Sequence, residues 1–126
     1  MLNPSAKSCT QVALLVPGNA SNTVLATGGW VDVRTAIGDI MVIQSCGALT
    51  GNLQGSFKTT ANSNGAGNVA LVPAGGNFTL ASAANDLQKT WIDSSQSLGY
   101  LQYIGTVGTG PVYVGVTASF HNKYSG

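Results

Sequence analysis

Residues 112–120, with the sequence VYVGVTASF, alternate strictly between two kinds of side chain. Every second residue is apolar, whereas the residues between them are mostly small or polar. Successive side chains of a β-strand point to opposite faces of the sheet, so this spacing predicts a strand that is buried on one face. A helix cannot gather such residues on one side, because its side chains repeat every 3.6 residues. The residues expected in the core are Val112, Val114, Val116, Ala118 and Phe120.

Shorter segments of the same kind occur along the rest of the chain, separated by turn-forming residues, and no segment has a convincing helical period. This pattern is typical of two antiparallel sheets packed face to face. We therefore predict an all-β fold, an antiparallel β-sandwich that is jelly-roll-like and has about eight to ten strands. The other predicted strands are 11–16, 23–27, 30–35, 39–46, 49–57, 69–73, 77–81, 87–94 and 99–107.

Three of these segments carry more specific expectations. The first strand, 11–16, should end at the turn dipeptide Pro17-Gly18. In 30–35 the alternation places Val31 and Val33 towards the core. The centre of 39–46 is apolar on both faces, which predicts a central strand that is covered on both sides.

The composition indicates one domain with an unusually uncharged surface. The 126 residues fit a single domain. We predict an N-terminal arm over 1–10, because this segment contains Pro4 and has no apolar periodicity, and one β-sandwich over 11–126. Only 7% of the residues are charged, against about 25% in ordinary domains, and none is glutamate. Low charge favours association over solubility. We therefore expect a protein that works packed against other chains.

Several classes of function do not fit this chain. The net charge is +1 and the five cationic residues are scattered, so nucleic-acid binding is not expected. No apolar run approaches the roughly 20 residues of a membrane span, and we expect no membrane role. The N-terminus does not have the pattern of a secretory signal, which favours folding in the cytoplasm.

Catalysis and metal binding are not expected either. His121 is the only histidine and lies near the end of the last strand, where an exposed side chain is the simpler interpretation. The four aspartates are isolated from one another in sequence. Cys9 and Cys46 do not have metal-ligand spacing. We expect two packed, reduced thiols, and the alternative is a disulfide between them. We therefore predict no enzyme activity, no metal and no cofactor.

Two tryptophans occur among charged residues in an alternating pattern. If the valine and isoleucine positions beside them face the core, both indoles face outwards with the charges. Exposed tryptophan beside polar groups is enriched at protein interfaces, because one ring buries a large area. The alternative is that the faces are inverted and both indoles lie in the core. The two groups are Trp30 with Asp32 and Arg34, and Lys89 with Trp91 and Asp93.

The candidate interface also includes the arm, since a terminal segment of this kind is usually frayed unless a partner holds it. The residues that we expect to contact other proteins are Leu2, Pro4, Trp30, Arg34, Lys89 and Trp91.

The order of segments resembles that of the small decoration, or cement, proteins on the capsids of tailed bacteriophages. The resemblance extends over nearly the whole chain and concerns layout rather than an active-site motif. One part is Ile92-Asp93 followed by the strand Tyr100–Ile104, although Gln102 stands where relatives often carry arginine. The other segments that carry it are VALLVPG, DIMVIQSCGALTG, TWIDSSQSLGYLQYIGTV and GPVYVGVTASFHNKYSG.

This resemblance implies a β-sandwich, often jelly-roll-like and often a homotrimer, on the outside of the phage capsid. Its partner would be the phage major capsid protein, whose neighbouring subunits it would clamp together. The leading hypothesis is therefore a non-enzymatic virion protein that cements the head. The alternatives are a carbohydrate-binding β-sandwich, in which exposed indoles stack on sugar rings, and another virion component such as a tail-tube or connector subunit.

Overall fold

The computed structural model describes residues 9–20 and 26–123. Within these ranges the chain forms nine strands and one short 3-10 helix, Ser94–Gln96. No helix is long and apolar enough to span a membrane in the described part of the chain. The strands are β1 Cys9–Ala20, β2 Ala26–Thr27, β3 Val31–Asp32, β4 Ala36–Leu49, β5 Asn52–Thr60, β6 Val69–Leu71, β7 Leu87–Asp93, β8 Tyr100–Thr109 and β9 Val112–Asn122.

The strands form two antiparallel sheets with the topology of a jelly roll. One sheet has the order β1-β9-β4-β7, and the other has the order β2-β8-β5-β6 with β3 also paired to β8. Because β2 and β3 pair with successive parts of β8, they act as one interrupted strand. Apart from the hairpin β5–β6, each step along the chain then crosses from one sheet to the other. This arrangement confirms the predicted all-β sandwich and its jelly-roll character.

The core lies between the two sheets and is built from alternating residues of the longer strands. In β9 the five predicted apolar residues are all buried, with Val112 and Ala118 fully inaccessible. Leu101, Tyr103 and Val107 of β8 and Leu53 and Phe57 of β5 close the core from the other side. The inward face predicted for β9 is therefore confirmed.

The expectation that β4 is covered on both sides is wrong. Ile40 and Val42 are fully buried, but Met41 and Ile43 keep 39% and 40% of their surface exposed. The reason is that a sandwich has only two layers, so each sheet has one face in the core and one face outside. Strand β4 is therefore a central strand whose inward-facing and outward-facing residues are both apolar, and its outer face is not covered.

Other predicted boundaries also differ from the structure. Strand β1 begins at Cys9, within the predicted arm, and continues through Pro17-Gly18 to Ala20. Register shifts against β9 absorb this dipeptide, which is tolerated because β1 is an edge strand. Residues 77–81 form no strand, and only Ala81 makes an isolated bridge to Leu53. Of the predicted strand 23–27, Ala26 and Thr27 are described and paired.

The two cysteines are free and differ in their surroundings. Cys46 is buried, and burial, with a smaller contribution from Asp86, raises the pKa of its thiol. Cys9 is exposed, so the expectation that both thiols are packed is wrong for this residue. Cys9 pairs with His121 and Cys46 with Val114 on β9, positions about 23 Å apart along a strand. A disulfide between them is not compatible with this fold.

Candidate protein interface

No three His, Cys, Asp or Glu side chains lie close enough in the described part of the chain to hold a metal ion. His121 lies exposed at the end of β9.

The outer face of the sheet β1-β9-β4-β7 carries a concentration of exposed apolar side chains. Of the eleven exposed large hydrophobic residues in the described ranges, six lie on β4, β7 and β9 at positions that alternate with buried ones. We call this surface the apolar face. Its large hydrophobic members are Ile37, Met41, Ile43, Leu87, Trp91 and Tyr113, with exposed fractions between 39% and 69%.

The outer face of the other sheet has a different chemistry. The outward positions of β5 and β8 are mainly polar and include a lysine, and several pair with one another across the two strands. Ile104 is the half-buried exception. Exposed apolar patches on soluble domains commonly mark contact sites, and here the patch is confined to one of the two sheets. The outward polar positions are Gln54, Ser56, Lys58, Gln102 and Thr106.

Met41 and Trp91 form the centre of the apolar face. They are direct partners in the register between β4 and β7, and Ser119 of β9 is the partner of Met41 on its other side. The indole is supported from below by Gly75, because a Cβ at that position would lie 2.5 Å from Cε3 of Trp91. A backbone without a side chain therefore holds the ring in place while 43% of the tryptophan surface stays exposed.

A shallow groove lies beside this centre, over β9 and β4. Its volume is about 390 Å³, and Ile43, Tyr113 and Pro17 are among the residues that line it. Gly115 opens space for Pro17, since a Cβ at Gly115 would lie 2.8 Å from Cγ of that proline. The groove gives the apolar face a concave region in which a side chain from another molecule can pack.

Three charged residues lie on the apolar face in the described part of the chain. Lys89 is the partner of Ile43, whereas Asp39 and Asp93 are direct partners of each other at one end of the face. Backbone and side-chain hydrogen bonds from Ser95 lower the pKa of Asp93, so this carboxylate is ionised at neutral pH. Among the described residues the ion pair that forms is between Asp32 and Arg34, elsewhere in the molecule.

Three of the four sheet edges, at β1, β6 and β7, are poorly suited to binding another strand. Edge strand β1 contains Pro17 and two register shifts, and edge strand β6 has only three residues. The free edge of β7 is covered by the preceding loop: the amide of Gly75 donates to the carbonyl of Trp91 over 2.9 Å. Such features prevent edge-to-edge pairing. Contact with other proteins is therefore favoured at a face rather than at an edge.

The structure places the predicted interface residues on two separate surfaces. Lys89 and Trp91 lie together on the apolar face, pointing outwards as predicted. Trp30 lies beside the other sheet and is half-buried against Gly65, where a Cβ would lie 2.2 Å from its Nε1. Neither indole is in the core, so the inverted alternative is wrong. Leu2 and Pro4 lie outside the described residues.

Arg34 is exposed but engaged within its own loop. Its Nε and Nη2 donate to the two carboxylate oxygens of Asp32 over 3.0 and 2.8 Å, and these bonds lower the pKa of Asp32. The guanidinium also lies 5.3 Å from the ring centroid of Tyr100. An arginine held in this way is less available to a partner than the sequence suggested.

Sequence reasoning missed most of the apolar face. Ile37, Met41, Ile43, Leu87 and Tyr113 were not among the expected contact residues. The sequence feature that could have indicated it is in 39–46, where the residues of both strand faces are apolar. We interpreted this feature as a strand covered on both sides.

Comparison with known proteins gives little further information. No family model and no curated protein matches the chain. Among solved structures, the chain is similar to a chain in the structure of the infectious bursal disease virus Gx strain, with a TM-score of 0.41 and 12% identity. The match covers 90% of this chain and 32% of the viral chain, so the present chain spans about a third of that length.

Proposed function

We propose that this chain is a non-enzymatic structural subunit of a phage virion, which binds the outside of the capsid and holds neighbouring major capsid subunits together. The observation that carries the proposal is the apolar face, where six large hydrophobic side chains are left without cover on the outer face of one sheet. The location on the outside of the capsid is supported by the order of segments, which resembles that of capsid decoration proteins.

The chemistry of the apolar face suits a permanent contact between proteins. The cores of stable interfaces are enriched in aromatic residues and methionine, and the apolar face contains Trp91, Tyr113 and Met41. The low charge of the whole chain, 7%, adds little repulsion between copies that lie close together on a shell. Many small contacts repeated around a capsid stabilise it collectively, and occupancy then depends on concentration by mass action.

The experiment compares capsids that carry the chain with capsids that do not. We expect bound copies after purification and a higher temperature of capsid disruption, and replacing Ile43 with serine should reduce both. Ser56→Ala on the polar face is the matched control, and capsids carrying it should behave as those with the original chain. Capsids that retain no copies, or that are equally stable with and without them, would rule out cementing.

A second candidate is carbohydrate binding, which the exposed indole of Trp91 favours. A free ring face beside hydrogen-bonding side chains is able to stack on a sugar, and Gln11, Ser45 and Thr117 line the neighbouring groove. A glycan array with the isolated chain tests this candidate. Binding that disappears in Trp91→Ala and persists in Trp30→Ala would favour it over capsid cementing.

A further inference from the structure

We propose that the apolar face is occupied by a second copy of this chain, packed face to face about a two-fold axis. The inference rests on the proposed function and deepens it: the apolar face joins two copies of the chain, and the capsid subunits are then held by the other surfaces of the dimer. It rests on the arrangement of the three charges on that face, on the residue at its centre and on the protected edges of the sheets.

The charges are unbalanced in a single copy. Asp39 and Asp93 are directly opposite each other on β4 and β7. Like charges at opposed positions destabilise a sheet unless a cation lies nearby. Lys89 is the cation on this face, but it lies four residues from Asp93 along the same strand, about 13 Å away. Within the described residues none of the three belongs to an ion pair.

A two-fold axis brings each aspartate pair next to a lysine without any change in the fold. Trp91 lies midway between Lys89 and Asp93 on β7, and its partner Met41 lies midway between Ile43 and Asp39 on β4. An axis that runs across the strands along this row reverses the strand direction of the second copy. Lys89 then faces Asp93 of the second copy, and the reverse pair forms on the other side of the axis.

The same operation brings Asp39 of the second copy over Ile43. Because Lys89 is the cross-strand partner of Ile43, its ammonium group is able to reach both carboxylates of the second copy. Each lysine thus meets a pair of aspartates, and the surface is complementary to itself, as a two-fold interface requires. An axis running along the strands would instead place Lys89 over β9, whose outward residues there are Thr117 and Ser119.

The centre of this interface has the composition of a binding hot spot. Trp91 and Met41 would pack against the same residues of the second copy, and the charged pairs would surround them at the rim. A standard interface buries about 800 Å² on each partner. That area is roughly an eighth of the 6623 Å² surface of the described chain, which one broad face of a sandwich is able to supply.

Face-to-face packing also agrees with the sheet edges. Pro17 in β1, the loop over β7 and the short strand β6 disfavour pairing by strand addition. In a face-to-face dimer, each surface outside the apolar face is exposed on both copies, so the dimer offers it twice. Two copies of one binding surface are what a clamp between two neighbouring capsid subunits needs, since bivalent attachment raises the effective affinity.

The test is a charge exchange read out by the mass of the native chain in solution. We expect a dimer for the original sequence. Lys89→Glu places a carboxylate against Asp93 and Asp39 of the second copy and should weaken the dimer at least about tenfold. Adding Asp39→Lys and Asp93→Asn gives the new carboxylate a cation to meet and no like charge, so this triple variant should recover dimerisation. Asp93 is replaced by asparagine because its side chain caps the helix Ser94–Gln96, and asparagine is an equally good cap.

Two controls make the result specific. Lys58→Glu changes the same charge on the polar face and should leave the dimer intact. Circular dichroism and the melting temperature should show that each variant is folded. A monomer, a trimer or a ring for the original sequence would overturn the proposal, as would a triple variant that dimerises no better than Lys89→Glu. Capsid retention of the original chain is measured separately, so a chain that binds capsids as a monomer or trimer would contradict the dimer and leave the cementing function standing.

Discussion

The hydroxyl of Tyr103 donates a 2.5 Å hydrogen bond to Oε1 of Gln44 in the centre of the core. Both side chains are fully buried, and they join the two sheets, since Gln44 lies on β4 and Tyr103 on β8. Gly55 makes room for the pair, because a Cβ there would lie 2.4 Å from Oε1 of Gln44. The Nε2 group of Gln44 has no partner among the described residues. Four predictions follow from this pair and from the two faces of the sheet.

Removing the hydroxyl in Tyr103→Phe should lower the free energy of unfolding by about 1–3 kcal/mol, because the amide of Gln44 is then left with no protein partner. Adding Gln44→Met removes that buried amide and should recover much of the loss. Chemical denaturation of both variants measures the coupling. Tyr113→Phe, on the apolar face, is the control and should be nearly neutral. A double variant less stable than either single one would contradict this account.

High pH should destabilise the original sequence more than Tyr103→Phe. Burial raises the pKa of Tyr103 above its ordinary value of about 10. The stability from this group is complete below about pH 10 and decreases as pH rises towards the folded pKa, since only the unfolded chain loses the proton. The advantage of the original sequence over Tyr103→Phe should shrink by up to about 1.4 kcal/mol per pH unit there. Melting temperatures between pH 8 and 11 measure it, and a constant difference would argue against a buried phenol.

Replacing Gly75 with valine should displace the indole of Trp91. The added Cβ would lie 2.5 Å from the ring and 2.7 Å from Oγ1 of Thr90, so one of them must move. In a Trp30→Phe background, the fluorescence maximum of Trp91 should shift and the dimer should weaken. Gly29→Ala is the matched control, because nothing lies within 4 Å of its added Cβ. Unchanged fluorescence in the valine variant would contradict the position of the ring.

Placing a charge on the inner face of β9 should unfold the domain. Val114 is 1% exposed, and an unpaired carboxylate there costs several kcal/mol, close to the whole stability of a small domain. Val114→Asp should therefore lose the circular dichroism of the folded state. Thr117→Asp, on the outer face of the same strand, should stay folded at room temperature. Two variants with the same melting temperature would show that the inward face of β9 is assigned wrongly.

The sequence determined the fold class and the inward face of β9. Alternation every second residue in β9 is a local property of the chain, and a sandwich uses it directly by burying one set of side chains. The outward direction of Lys89 and Trp91 on β7 followed from the same rule. In 39–46 the sequence shows that both faces of β4 are apolar, but whether a second layer covers the outer face is not a local property, so the exposure of Met41 and Ile43 depends on the tertiary structure.

Only the tertiary structure decided which residues meet. The apolar face combines residues of β4, β7 and β9, whose pairing depends on the jelly-roll connections rather than on any one segment. The covering of Trp30 by Gly65, the support of Trp91 by Gly75 and the Asp39–Asp93 pair likewise join residues that are distant in sequence. Alternation specifies a side of a strand, but register between strands specifies the neighbours on that side, and the neighbours determine what the surface is able to bind.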